Sequence, residues 1–235
     1  MNPEQILAAL SETYSTCASY MDTGEVVSLG AYPTTRPFRT AFVRPDWFRF
    51  EFRDRFDEAD PWHSYVVWAN ESDVRVRWDI RPQVEQAESL RLALAGATGV
   101  SGGAAHTIPS LLMPDLFGPH PLTRLADVTS LPDEMLAGVA CYRLVGRAVY
   151  PQLDPGEAER RCTEAQRLYG VSLGHCEHEP LTLWIDRGTF LIRRIEESVR
   201  SGAYSWETVI TYEPRVGVQI SEAVLRFDPP AGGTT

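Results

Sequence analysis

The chain has 235 residues, 43% of them hydrophobic, enough for a substantial core and too many for a disordered chain. A formal net charge of −10 argues against nucleic acid as partner. All 22 basic residues are arginines, and the arginine-rich run 36–55 is followed at once by acids, which reads as a solvated mixed-charge face and not as a phosphate-binding patch.

The N-terminus carries a helix start: Asn2 as cap, Pro3 in the first helical position and Gln5 three residues after the cap. Ile6, Leu10, Tyr14 and Cys17 then share one face, with Leu7 beside them, so an amphipathic helix to about Tyr20 is expected to lie on something apolar. From 23 to 80 the pattern is strand. In 38–52, FRTAFVRPDWFRFEF, two strands meet at Arg44-Pro45-Asp46, and Pro45 suits the corner because it has no N–H for a ladder. Phe48, Phe50 and Phe52 alternate with charged residues, the period of a half-buried strand. Strands over 62–69 and 74–80 follow a short polar turn, which gives an antiparallel meander.

Over 83–117 the alternation fades. Leu90, Leu94 and Ala97, with Ala87 before them, suit a helix ended by Gly99, Gly102 and Gly103, and a second short apolar helix is expected around 108–112. Strands return over 122–129 and 139–150, a polar insertion holding Cys162 and Cys176 occupies 151–179, and a meander over 181–185, 190–199, 204–212 and 224–227 closes the chain. Gly188 is expected to supply the left-handed residue of the loop at 186–189. The economical fold is α+β in a single domain over 1–230 with a tail at 231–235. It is a single large antiparallel sheet curled around the N-terminal helix and the Gly-hinged segment 83–117, which resembles a lid or plug more than a linker.

The segment TAFVRPDWFRFEF resembles the second and third strands of LolA-like proteins, the outer-membrane lipoprotein carriers and their relatives. So do LTLWIDRGTFLIRRIE, and TYEPRVGVQI followed by LRFDPP. Together they span 38–230 with gaps, and only their order and spacing are specific. The resemblance implies a strongly curved antiparallel half-barrel (an incomplete β-barrel) enclosing the N-terminal helix and a helical lid, an apolar cavity for acyl chains, no catalysis, and work outside the cytoplasm in the cell envelope. It also implies a role for Arg44, which matches the arginine that holds the carriers' lid closed through its backbone. The chain departs from the carriers in its Gly-rich lid, in the cysteine-bearing insertion, and in having no signal-peptide pattern at its start.

Phe42, Phe48, Phe50, Trp62, Trp78 and Leu111 are the expected cavity lining, with Gly99, Gly102 and Gly103 as lid hinge. The expected partner is a lipid or an acylated protein, with an envelope protein as a further partner if the same cavity serves a lipid-sensing regulator. Burying an acyl chain of ~12–16 methylenes is worth about 10 kcal/mol gross. The same residues also suit an ordinary dry core, and Arg44 also suits an ion pair with Asp46 or Glu51.

Gly99-Val100-Ser101-Gly102-Gly103 matches the G-x-S-x-G elbow of serine hydrolases, with Asp127, Asp133 or Asp154 and His175 or His178 as triad partners. A helix, not a strand, precedes this serine, so no catalytic residue is expected. Cys162 and Cys176 suit a disulfide closing a surface loop. Free thiols, or a metal held with His175 and His178, are the alternatives, although the spacing fits zinc poorly. No cofactor, metal, nucleic acid or membrane span is expected.

Overall fold

Asn2 and Gln5 close a capping box. The Asn2 side chain accepts from the Gln5 N–H at 2.8 Å, and the Gln5 side chain accepts from the Asn2 N–H at 3.0 Å. The helix they start, α1 (Pro3–Thr16), buries Ile6, Leu7, Leu10 and Tyr14. It ends short of Tyr20: the Ser15 and Thr16 hydroxyls bond back to the Glu12 carbonyl, and Cys17 is already extended. The computed structural model describes all residues except 30–32, 56, 58, 71–72, 82, 150–176, 202–203 and 227–235. The expected Cys162–Cys176 pair and nearly all of the insertion lie outside the described residues.

The strands are β1 (Ser19–Leu29), β2 (Thr34–Val43), β3 (Trp47–Asp54), β4 (His63–Asn70), β5 (Asp73–Trp78), β6 (Val84–Gln86), β7 (Ala126–Leu136), β8 (Val139–Arg147), β9 (Glu177–His178), β10 (Leu181–Asp186), β11 (Ile192–Ser201), β12 (Tyr204–Tyr212) and β13 (Arg215–Val216). They form one 13-stranded antiparallel sheet in the order β6-β5-β4-β3-β2-β1-β12-β11-β10-β8-β7, with β13 added to β1 and β9 to β11. Among the described residues the edge strands β6 and β7 do not pair, and the curved sheet is unclosed. Each short turn in the sequence joins neighbours, which is why the meander was legible from the alternation.

Register fixes the two faces. Phe38, Thr40 and Phe42 stand opposite Phe52, Phe50 and Phe48, and Phe50 stands opposite Val67 of β4. All of these are buried, in one core with the helices that sit on this face. Those helices are α2 (Leu90–Thr98), α3 (Ala104–Leu112) and the single turn α4 (Pro114–Phe117), followed by a 3-10 turn at Pro121–Thr123. Leu94, Ile108 and Leu112 are fully buried against the sheet's aromatics.

Three local expectations are corrected. Residues 84–86 are an exposed edge strand paired with β5, not the start of the helical segment. In the loop after β10, the Asp186 carboxylate accepts the Gly188 and Thr189 N–H groups at 2.8 and 3.1 Å. That local bonding leaves Gly188 without positive φ, and the left-handed residue is Phe190, at φ 57°. Arg193 also bonds Asp186 at 2.8 Å, and despite burial these partners hold the carboxyl below its ordinary range. Finally, residues 222–225 form a helical turn, α5 (Glu222–Leu225), instead of a closing strand. Leu225 is buried there, and its carbonyl and that of Arg226 accept from Trp68 Nε1 and Arg49, tying the segment to β3 and β4.

Candidate functional site

The aromatic face and the helices on it meet at Arg44, which leaves β2 at the corner before β3. Its Nε donates to the Cys17 carbonyl at 2.9 Å, and one Nη donates to the Tyr14 and Leu112 carbonyls at 3.1 and 2.7 Å. Tyr14 and Cys17 end α1, and Leu112 ends α3. One guanidinium therefore satisfies orphan carbonyls at the C-termini of two helices, where a cation is also favoured by the helix dipoles. The Phe42 ring lies beneath the guanidinium at 5.2 Å. The carboxylate considered as an alternative partner, Glu51, is bound instead by Arg39 and Arg49 on the opposite face of the sheet.

Between α2 and α3 the chain turns on two left-handed glycines, Gly102 at φ 61° and Gly103 at φ 91°. A Cβ at Gly102 would stand 2.7 Å from Val26 Cγ1, so both backbone angle and space call for glycine there. Gly99, by contrast, keeps right-handed helical angles at the end of α2. Ser101 lies between these glycines, fully buried. Its hydroxyl accepts from the Ala105 N–H at 3.1 Å and donates to the Thr98 carbonyl at 3.3 Å. Asp127 and Asp133 are paired with Arg147 and Arg187. Ser101 is thus a helix-joining residue between two helices, not a serine on a strand-to-helix elbow.

Phe42, Phe48, Phe50 and Leu111 come together, each no more than 4% exposed, packed against the helices in one core. Trp78 is half-buried and meets Tyr65 edge-on, ring centroids 5.7 Å apart. Trp62 does not join them. It precedes the first residue of β4, so the strand's alternation does not reach it, and it is 37% exposed with Arg55 4.6 Å from its ring centroid. His106 lies on α3, half-buried and facing His120 with ring centroids 5.3 Å apart. Burial holds both imidazoles below their ordinary pKa, His120 at about 3. The His120 Nδ1 accepts from the Leu122 N–H, which leaves the ring proton on Nε2. A cleft of about 1360 Å³ opens on the other, charged face of the sheet, among Glu25, Arg39, Arg53, Glu213 and the β7–β8 tip at Leu136.

At the centre of the aromatic face lies a polar group that the alternation of 38–52 does not announce. Asp22 of β1 is 1% exposed, between Tyr20, Thr40, Tyr14 and Tyr212, each no more than 3% exposed. Its carboxylate accepts from the Tyr20 hydroxyl at 2.6 Å and the Thr40 N–H at 2.8 Å. Burial pushes its pKa up to about 6, against the lowering effect of those two bonds. A folded-state pKa above the unfolded value of 3.8 means the fold takes up this proton first as pH falls. That contribution to stability is full below pH 3.8 and is lost as pH rises through about 6. Asp22→Asn is therefore expected to raise the melting temperature more at pH 7.5 than at pH 4.5; a pH-independent difference in thermal melts of the two proteins would contradict it.

No protein-family model and no curated protein matches the chain. Among solved structures it is similar to LprF from Mycobacterium bovis, at 14% identity over 97% of each chain and a TM-score of 0.48. It is similar to the lipoprotein LppX from Mycobacterium tuberculosis, at 10% identity over 93% of this chain and 98% of that one, TM-score 0.46. A LolA superfamily protein from Nitrosomonas europaea aligns at 9% identity over 97% and 98%, TM-score 0.34.

Proposed function

We propose that this protein binds the acyl chains of a lipid or lipoprotein, without catalysis, in the space its helices now fill. The observation that carries this reading is the way the helices are held. Here the segment 90–117 turns on the left-handed Gly102 and Gly103 at one end of α3, and at the other end Arg44 bonds carbonyls of α1 and α3. Hydrogen bonds of this kind break and re-form at modest cost, whereas the aromatic surface beneath offers apolar area for a chain of methylenes. In this reading Arg44 is the lid clasp, Phe42, Phe48, Phe50 and Leu111 meet the ligand when the lid lifts, and α2 and α3 give up the space.

The test is native mass spectrometry of the protein titrated with a lysophospholipid, followed by hydrogen exchange of the loaded form. One acyl species bound per chain, with altered exchange confined to 90–117 and the α1 C-terminus, is the expected result. No uptake at any ligand concentration would mean that the aromatic face is a dry core and nothing more.

A further inference from the structure

The Asp22 carboxylate satisfies the buried Tyr20 hydroxyl and Thr40 N–H, a role that does not require a negative charge. Five elements converge on it: Tyr14 from α1, Tyr20 from β1 itself, Thr40 from β2, Tyr212 from β12, and Thr107 of α3 beside Tyr212. None of these brings a cation, and no arginine bears on the Asp22 carboxyl among the described residues. A carboxylate buried with two hydrogen bonds and no counter-charge destabilises a core. Each of its oxygens keeps a further lone pair. Beside it, the Tyr212 and Thr40 hydroxyls are buried and make no hydrogen bond of normal geometry, their nearest polar neighbours being the Thr107 hydroxyl and the Asp22 carboxylate itself. Unsatisfied groups of this kind are rare in folded proteins and call for an explanation. They lie on the aromatic face, in the same core as the α3 residues that would leave it on opening.

Resting on the acyl-binding reading above, we infer that Asp22, with the hydroxyls of Tyr20, Thr40 and Tyr212, is a polar subsite inside that space, built to receive a hydrogen-bond-donating group of the ligand and to reject a free carboxylate. The free lone pairs of Asp22 accept, and the two loosely held hydroxyls adapt as donors or acceptors. An alcohol brings one donor for Asp22 and lone pairs for the hydroxyls, and an ammonium brings three donors. A fatty-acid carboxylate brings a second negative charge into a site of low dielectric and finds no cation there. The ligand class is then a chain carrying a hydroxyl or amine, and not a free fatty acid.

Three probes of equal chain length separate the possibilities: dodecanol, dodecylamine and dodecanoate, each below its aggregation limit, measured at pH 8 by displacement of a fluorescent acyl probe. The expected result is that dodecanol and dodecylamine bind at least roughly tenfold more tightly than dodecanoate. Asp22→Asn, whose fold is checked by the melts described above, is expected to bring all three within about threefold of one another. Tyr212→Phe is expected to weaken dodecanol while leaving the rejection of dodecanoate in place. Tighter binding of dodecanol than dodecylamine would make the donor a neutral hydroxyl, and the reverse order would make it a cation. Equal binding of all three by the unaltered protein, or a ranking that survives Asp22→Asn, overturns the subsite while leaving acyl binding intact. Uptake of none of them overturns both.

Discussion

Arg44→Ala is expected to lower stability by about 2–3 kcal/mol, which for a chain of this length corresponds to roughly 5–10 °C in melting temperature. The guanidinium is the shared donor for the Cys17, Tyr14 and Leu112 carbonyls, and bonds to a charged donor are the stronger kind. Its removal leaves two helix ends without a cation. Water reaches this half-buried site and offsets part of the loss, which is why the figure is no larger. The effect should be uneven. Hydrogen exchange is expected to quicken in α3 and in the last turn of α1, while β3 and β4 stay as protected as before. Arg44→Lys should recover only part of the loss, because one ammonium lacks the planar fork that reaches two directions at once. For the acyl-binding reading, the same variant is expected to release bound ligand faster. An unchanged melt together with unchanged exchange in α3 would remove Arg44 from the role of clasp.

Gly24→Ala is expected to be worse, destabilising by about 3 kcal/mol or more. Gly24 sits in the middle of β1, paired with Phe38 on one side and Tyr212 on the other. A Cβ there would stand 2.5 Å from Phe38 Cζ and closer still to the Thr211 carbonyl oxygen. The ring tip is the far end of a side chain, whereas the carbonyl belongs to the β12 backbone and has less freedom to shift. The prediction is therefore specific: Phe38→Leu, which withdraws the ring, should not rescue Gly24→Ala in denaturant unfolding. Full rescue would show that the ring and not the strand backbone sets the limit. If the glycine's role were only conformational, the substitution would be mild, since its φ lies in the ordinary extended region of a strand.

These two residues divide between what local pattern shows and what it does not. Arg44 was visible because Arg-Pro-Asp interrupts two alternating strands, and Pro45 has to sit at a corner. What it bonds was not visible from its own surroundings: Tyr14 and Leu112 are 30 and 68 residues away, and the ion pairs with Asp46 or Glu51 looked as good locally. Gly24 and Asp22 were hidden for a related reason. The segment 20–26 mixes Tyr, Asp, Gly and Val on its inward side, and an aspartate on that side reads as solvent-facing until the sheet closes over it. The one available signal was the period itself, which runs from Tyr20 through Asp22 and Gly24 to Val26.

The sequence by itself determined the helix start at Asn2, the aromatic hairpin, the meander, the two short helices hinged on glycine, and hence an antiparallel sheet curled around helices. Each of these rests on contacts between residues close in the chain or on strict period-two alternation, which any stretch displays without knowledge of the rest. The tertiary structure alone decided which face of the hairpin turned inward and that Trp62 stayed at the rim. It also decided that Phe190 took the left-handed position, that 222–225 wound into a turn against Trp68, that Arg44 joined two helix ends, and that Asp22 was buried without a counter-charge. Each of those depends on groups brought together from distant parts of the chain, where burial and the need to satisfy backbone carbonyls outweigh local preference.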